Sequence, residues 1–299
     1  MTCIGKTIIV NYDISNELTP RAIIRTLGSN SDQLIGLLAG SHLDWKILPE
    51  KYCIGYHGLQ RDHSYTACPQ QTLLDSGTQC KACKTMDTLL PCVICNGSKC
   101  MACETVKEFC SSTETSIYLA AFGNDLKIGV SNKDRLMKRW LEQGADYGVE
   151  IGIAANSRLA RIIEAEISKR FSVPKSMRLQ MKMNEILGSH SPLILTKLGK
   201  LIGSVSEWLN SCYPECRTEN GRITDLRRFY NLSIESTPFA FISLKEFKIS
   251  GRFLGMKGSL FFFEDNTVYF LDFRRLRGRR ISFEETSKRQ PKLTDWASS

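Results

Sequence analysis

Ile117-Tyr118-Leu119-Ala120-Ala121, then Phe122-Gly123-Asn124-Asp125, then Leu126-Lys127-Ile128-Gly129-Val130 is the stretch on which the fold turns. Two short apolar runs flank a Gly-Asn-Asp turn, the pattern of antiparallel strands joined by a tight hairpin. Outward from it, Asn132 or Asp134 offers a helix N-cap and Gly144 a C-terminal stop. A third strand is predicted over 149–154, and Leu159, Ile162, Ile163, Ile167 and Phe171 then keep helical spacing until Pro174 ends the run. The order is β-β-α-β-α, extended by helical patterns over 177–187 and 193–209.

The flanks differ from this unit. From about residue 237 the pattern turns β-rich, with strands predicted at 239–244, 247–253, 259–263, 268–273 and 280–283. Gly251, Gly255, Gly258 and Asp265-Asn266 punctuate them, which predicts a small barrel or curled sheet. Residues 1–52 read as a mixed α and β lead-in, with strands at 6–10 and 42–48 around apolar segments at 22–27 and 34–38. The fold class expected is α+β, divided into 1–52, a cysteine-rich segment 53–110, the hairpin-helix unit with its helical extension 116–210, and a basic β-rich domain 237–284. The polar tail beyond Glu284 is expected to fray.

A chain of 299 residues with 42% hydrophobic and 24% charged residues has the composition of a folded protein rather than a disordered one. No window approaches the roughly 20 apolar residues that span a bilayer, and the first residues lack a signal-peptide pattern, so a cytoplasmic protein without a membrane partner is expected. Forty Lys plus Arg against 31 Asp plus Glu leave +9, which favours an anionic partner. No organic cofactor is expected.

Of 12 cysteines, nine fall between Cys53 and Cys110. In a reducing compartment such clustering points to thiolate ligation of a metal ahead of disulfides. Cys80-Lys-Ala-Cys83, Cys92-Val-Ile-Cys95 and Cys100-Met-Ala-Cys103 are C-x-x-C knuckles, in which one tight turn presents two sulfurs to one ion. Structural zinc takes four ligands, so Cys92, Cys95, Cys100 and Cys103 make one complete set, while Cys80 and Cys83 take Cys53 and Cys68 as partners. Two structural zinc ions are expected. An iron-sulfur cluster is the competing metal, and free buried thiols or disulfides the plainer alternatives. His57 or His63 could replace a thiolate, and Cys110 is a spare ligand. A closed four-thiolate site leaves no position for substrate, so its role would be to fold a loop-rich segment.

Tyr118 on the first strand, Gly129 on the second, Arg139 on the first helix and Glu164 on the later helix stand in the order in which the GIY-YIG nucleases carry corresponding residues. The unit resembles that family, with Lys127 where the second tyrosine would stand. The resemblance implies catalytic roles for Tyr118, Arg139 and Glu164, with magnesium held by Glu164, if the unit cleaves. Leu126-Lys-Ile-Gly-Val-Ser131 and Arg139-Trp-Leu-Glu-Gln-Gly-Ala145 are similar, more closely, to an uncharacterised prokaryotic family that pairs such a unit with an upstream cysteine-rich segment.

Without cleavage the same surface still binds phosphates, through Lys127, Arg135, Lys138, Arg139 and Arg161. A second cationic focus is Arg274-Arg275-Leu276-Arg277-Gly278-Arg279-Arg280, five arginines in seven residues, expected to splay from a turn where their planar forks suit phosphate. The outward-facing member of Phe261-Phe262-Phe263 could stack on a base. The reading favoured is a zinc-binding protein of structured RNA, ribosomal or transfer RNA, whose GIY-YIG-like unit does not cleave. The alternatives are a magnesium-dependent endonuclease and a zinc-stapled scaffold for a protein partner.

Overall fold

The computed structural model describes residues 6–59, 65–93, 95–177, 193–218, 221–230, 232, 239–241 and 247–283. The helix expected at 177–187, the polar tail, His63 and Cys3 lie outside them, apart from Met177. Among the described residues there are two sheets and six α-helices.

The larger sheet has nine strands: β1 (Thr7–Ile14), β2 (Pro20–Thr26), β3 (Gln33–Gly36), β4 (His42–Lys51), β9 (Phe239–Phe241), β10 (Phe247–Lys257), β11 (Leu260–Glu264), β12 (Val268–Asp272) and β13 (Arg279–Phe283). Their spatial order is β3-β2-β1-β13-β4-β10-β11-β12-β9. All pairings are antiparallel except β12 with β9. The lead-in expected to mix α and β is therefore corrected: 22–27 and 34–38 lie on or beside β2 and β3, and no helix occurs among described residues before Lys81. Ile23 and Ile24, both β-branched, favour the pleated surface there.

Alternation explains how β4 is used. Leu43, Trp45 and Ile47 point inward while their neighbours face out. They meet Ile9 and Ile24 from one end of the sheet and Phe253, Phe261, Phe263 and Leu271 from the other, in a single core. Laid flat, the five inter-strand steps from β1 to β12 would part those strands by about 24 Å. The Tyr12 ring nevertheless meets Phe273, just beyond β12, with centroids 5.7 Å apart. The sheet curls upon itself, as expected for the C-terminal part, but it does so using the N-terminal strands. Phe262, the outward member of the Phe triplet, is buried against Leu260, Val268 and Phe270, so it is not available to stack on a base.

The second sheet, in the order β6-β5-β7-β8, contains β5 (Thr115–Phe122), β6 (Asp125–Asn132), β7 (Tyr147–Ala154) and β8 (Thr224–Asp225). The helices are α1 (Lys81–Met86), α2 (Leu90–Val93), α3 (Glu104–Ser112), α4 (Leu136–Gln143), α5 (Ser157–Arg170) and α6 (Leu193–Cys212). The expected β-β-α-β-α order is present over β5, β6, α4, β7 and α5. Strand β5 is buried along its whole length because both faces are covered. Ile117, Leu119 and Ala121 pack under α5 and α6, while Tyr118, Ala120 and Phe122 pack under α4. Asn156 caps α5 by accepting the Leu159 N–H, and Gly144 ends α4 in the left-handed region at φ 77°.

The sheets meet at the end of α4. Lys257 of β10, largely buried, forms a 2.6 Å ion pair with the fully buried Asp146, and the Tyr230 hydroxyl donates to the Ala145 carbonyl at 2.7 Å. Gly144 and Gly258 touch backbone to backbone: a Cβ on Gly258 would lie 2.8 Å from Gly144 N. The Gln-Gly-Ala stretch is thus a docking point.

Candidate functional site

Four cysteines from separate stretches converge beyond the end of β4. Cys53 follows that strand, Cys68 lies in the following loop, Cys80 is the N-cap of α1 and Cys83 sits on its first turn. All four are buried, and their sulfurs lie within 4.8 Å of one another. Cys68 Sγ and Cys80 Sγ are 4.0 Å apart, far beyond a disulfide bond of about 2.05 Å and near the ~3.8 Å edge of a tetrahedron with 2.3 Å metal–sulfur bonds. The grouping is the one expected from spacing, and it could hold a metal such as zinc. None of the described cysteines forms a disulfide.

The backbone is shaped to carry negative sulfur. Cys53 Sγ accepts N–H groups from Cys80 at 3.2 Å and Gly55 at 3.5 Å, and Cys80 Sγ accepts the Cys83 N–H at 3.5 Å. Burial alone would raise Cys80, but the Cys83 N–H and neighbouring thiol and hydroxyl donors outweigh it and hold the thiol at about 6. Burial and the adjoining sulfurs push Cys83 upward. Four thiolates this close repel one another, and a divalent cation would relieve that repulsion.

His57 is not a ligand: its Nδ1 lies 3.2 Å from the Asp87 carboxylate and its ring rests on Tyr65. Asp87 also accepts from Gln79 Nε2 at 2.6 Å and from the Leu89 and Leu90 N–H groups, bracing the loop around the sulfurs. Arg25, buried on β2, donates to Asp32 and to the Ile54 and Tyr65 carbonyls, fastening the knuckle to the large sheet. Sequence reasoning missed Arg25, Gln79, Tyr65 and Asp87. No spacing marks them.

The second cysteine set is looser. Cys92, Cys95, Cys100 and Cys110 are half-buried and Cys103 is exposed. Among the described residues only the first set has all its sulfurs within 4.8 Å. The segment rests on α5, where Arg158 Nε donates to the Gly97 carbonyl at 3.0 Å and Arg161 donates to the Cys95 carbonyl at 3.2 Å.

A third cluster lies between β5, β6, α4 and α5. Tyr118 is buried, with its hydroxyl 2.9 Å from Gln143 Nε2 and its ring edge-on to Trp140. Lys127 and Glu164 are 8% and 9% exposed, and among the described residues neither side chain makes a hydrogen bond or an ion pair. Burial, with the Arg139 charge adding to it, lowers Lys127 to about 8. Burial raises the Glu164 carboxyl, against the pull of Lys175, Arg161, Lys127 and Arg139. One carboxylate thus faces four cations, of which sequence reasoning missed Lys175. Two expected members stand apart: Arg135 pairs with Glu142 at 2.8 Å, a carboxylate that also lies 3.9 Å from Arg139, and Lys138 bonds Asn16 Oδ1 at 2.6 Å.

The arginine run includes the connection from β12 to β13, the expected turn, but only Arg274 and Arg275 are exposed, while Arg277, Arg279 and Arg280 are half-buried. Residues 273–276 form a short 3₁₀ helix, and Arg279 opens β13, inserted between β1 and β4, so neighbouring strands engage the side chains. Arg274 pairs with Asp272 at 2.8 Å, Arg277 bonds the Tyr65 hydroxyl, Arg279 donates to the Pro49 carbonyl, and Arg280 pairs with Glu50 at 3.0 Å. Arg274 and Arg280 keep part of their guanidinium surface open. Arg275 also has a partner.

The chain is thus an α+β protein with a four-cysteine cluster fit for a metal. It belongs to DUF2797, a family of proteins of unknown function, which it matches over residues 40–281. No curated protein matches the chain. No solved structure matches it either. No helix among the described residues is long and apolar enough to cross a membrane.

Proposed function

We propose that this is a zinc-stapled nucleic-acid-binding protein that holds two structural zinc ions and contacts structured RNA, such as ribosomal or transfer RNA, through the cationic cluster around Glu164. The observation that carries the reading is the charge balance there: four cations, Lys127, Arg139, Arg161 and Lys175, act on the buried Glu164 carboxylate, against which stands one further acid, Glu142, 3.9 Å from Arg139. Such an excess calls for an anion, and the phosphate backbone is the anion whose neutralisation by Lys and Arg dominates nucleic-acid affinity. RNA is favoured over DNA because zinc knuckles and curled sheets suit recognition by shape and by single-stranded bases. In this reading the first zinc sits in the Cys53, Cys68, Cys80 and Cys83 cluster and folds the loops around it.

A GIY-YIG-type endonuclease is the second reading, favoured by the electrostatic reach between Tyr118, Arg139 and Glu164. Against it, Glu164 is a lone carboxylate among four cations, which repel the magnesium it would have to hold. Lys127 occupies the second tyrosine's place beside it.

The test is RNA affinity measured against salt. Lys127→Gln with Arg139→Gln should flatten the slope of log affinity on log salt by about 0.7 to 0.9 for each phosphate left without its cation. An unchanged slope refutes the interface. Labelled RNA and DNA should stay intact with magnesium. Cleavage that disappears in both Glu164→Gln and Tyr118→Phe promotes the nuclease.

A further inference from the structure

We propose that the second zinc ion is held by Cys92, Cys95, Cys100 and Cys110, with Cys110 of α3 taking the place that spacing gives to Cys103, and that this site clamps the cysteine-rich segment onto α5. The inference rests on the two-zinc reading above.

Three observations converge on it. First, Cys95-Asn-Gly97 repeats the local geometry of Cys53-Ile-Gly55 in the tight cluster. Cys95 Sγ accepts the Gly97 N–H at 3.3 Å, as Cys53 Sγ accepts that of Gly55 at 3.5 Å. Both glycines are left-handed, at φ 84° and 97°. This turn exposes an N–H to a sulfur carrying negative charge.

Second, Cys110 is on the correct side of its helix. It lies one turn beyond Val106, the buried residue of α3, and α3 packs on α5. Cys110 and Cys92 lie within electrostatic reach of each other, of Cys95 and Cys100, and of Arg161. Cys103 is exposed at the N-cap of α3 and its side chain caps nothing.

Third, α5 supplies what a four-thiolate zinc, with a net charge of −2, requires beside it. Arg158 and Arg161 bring two positive charges and bond the carbonyls of Gly97 and Cys95. Gly97 is pressed on that helix so closely that a Cβ would come within 2.7 Å of Ile162 Cγ1 and 2.8 Å of the Arg158 carbonyl oxygen. The metal would therefore fix the helix that carries Glu164.

The experiment is zinc counted per chain by elemental analysis on the full-length protein, together with alkylation of the zinc-loaded protein read by mass spectrometry. Wild type and Cys103→Ser should each hold two zinc ions, and Cys110→Ser one. In loaded wild type, Cys103 should be alkylated readily while Cys92, Cys95, Cys100 and Cys110 stay protected until a chelator is added. Any zinc loss in Cys103→Ser, or full retention in Cys110→Ser, overturns the assignment while leaving the two-zinc reading intact. A wild-type count of one overturns both. Should Cys110→Ser fail to fold, the wild-type alkylation pattern decides: Cys110 modified as fast as Cys103 refutes the proposal.

Discussion

Gly129 stands opposite Tyr118 across the β5–β6 ladder, and the phenol lies over it so closely that a Cβ at 129 would come 2.4 Å from both Cζ and Oη of the ring. The glycine of the second strand is therefore a steric requirement of the tyrosine on the first. Gly129→Ala should lower stability by about 1 to 3 kcal/mol, the usual range for overpacking a filled core. Denaturant melts of Gly129→Ala, Tyr118→Leu and the double variant should show coupling, with the double less destabilised than the sum. Strict additivity would mean that the ring and the glycine are not tightly packed.

Removing metal should act first on the knuckle amides. The N–H groups of Gly55, Cys80 and Cys83 point at sulfur, so chelation should expose them to hydrogen exchange while β5 and β7 keep their protection. Cys80→Ser should reproduce this pattern without chelator. Unchanged exchange at all three amides would show that the cluster holds no ion.

RNA affinity should depend on pH through Lys127. Burial leaves its ammonium easily deprotonated, at about 8, and a phosphate partner would raise that value in the complex. Affinity is then complete below pH 8 and falls as pH rises through it, because binding must take up a proton there, by up to tenfold per unit. Titrations from pH 6.5 to 9.5 should show the fall in wild type and a flatter profile in Lys127→Gln. Glu164→Gln, which removes the buried negative charge of the cluster, should bind RNA at least as tightly as wild type.

Asp146 joins the two sheets through one oxygen, which pairs with Lys257 of β10, while its other oxygen accepts the Gly123 N–H of its own sheet's hairpin at 2.7 Å. Asp146→Ala leaves a buried ammonium and a buried N–H unpaired, which should cost about 3 to 5 kcal/mol. Asp146→Ala with Lys257→Met should recover much of that stability. Equal melting of wild type and Asp146→Ala would contradict the burial.

What was legible in the sequence was whatever short spacing encodes. The hairpin turn at Gly123-Asn124-Asp125, the Gly144 stop and the apolar spacing of α5 are local, and Cys80 with Cys83 lie on one turn, so their pairing is fixed by two intervening residues. Cys53 and Cys68 could be assigned as the nearby cysteines left to complete the set of four. Arg25 and Asp87 carried no such mark, because a buried arginine on β2 looks like any strand arginine until the loop it bonds is in place. The arginine run was legible only in part for the same reason: whether an arginine splays or is engaged depends on which strands flank it, and β13 takes its neighbours from the other end of the chain.

That arrangement has a kinetic cost. β13 inserts between β1 and β4, so strands made from the first fifty residues have their permanent neighbour only after residue 283 has been synthesised. During translation β1 and β4 carry unpaired edges across the time needed to make more than two hundred further residues, an interval of roughly 10 to 50 s at ordinary elongation rates. Pairings of such sequence separation are slow and leave edges open to aggregation. The first thiolate cluster, complete by Cys83, is the earliest local structure able to shelter the end of β4, so supply of metal during synthesis should govern how much of the chain reaches its native state.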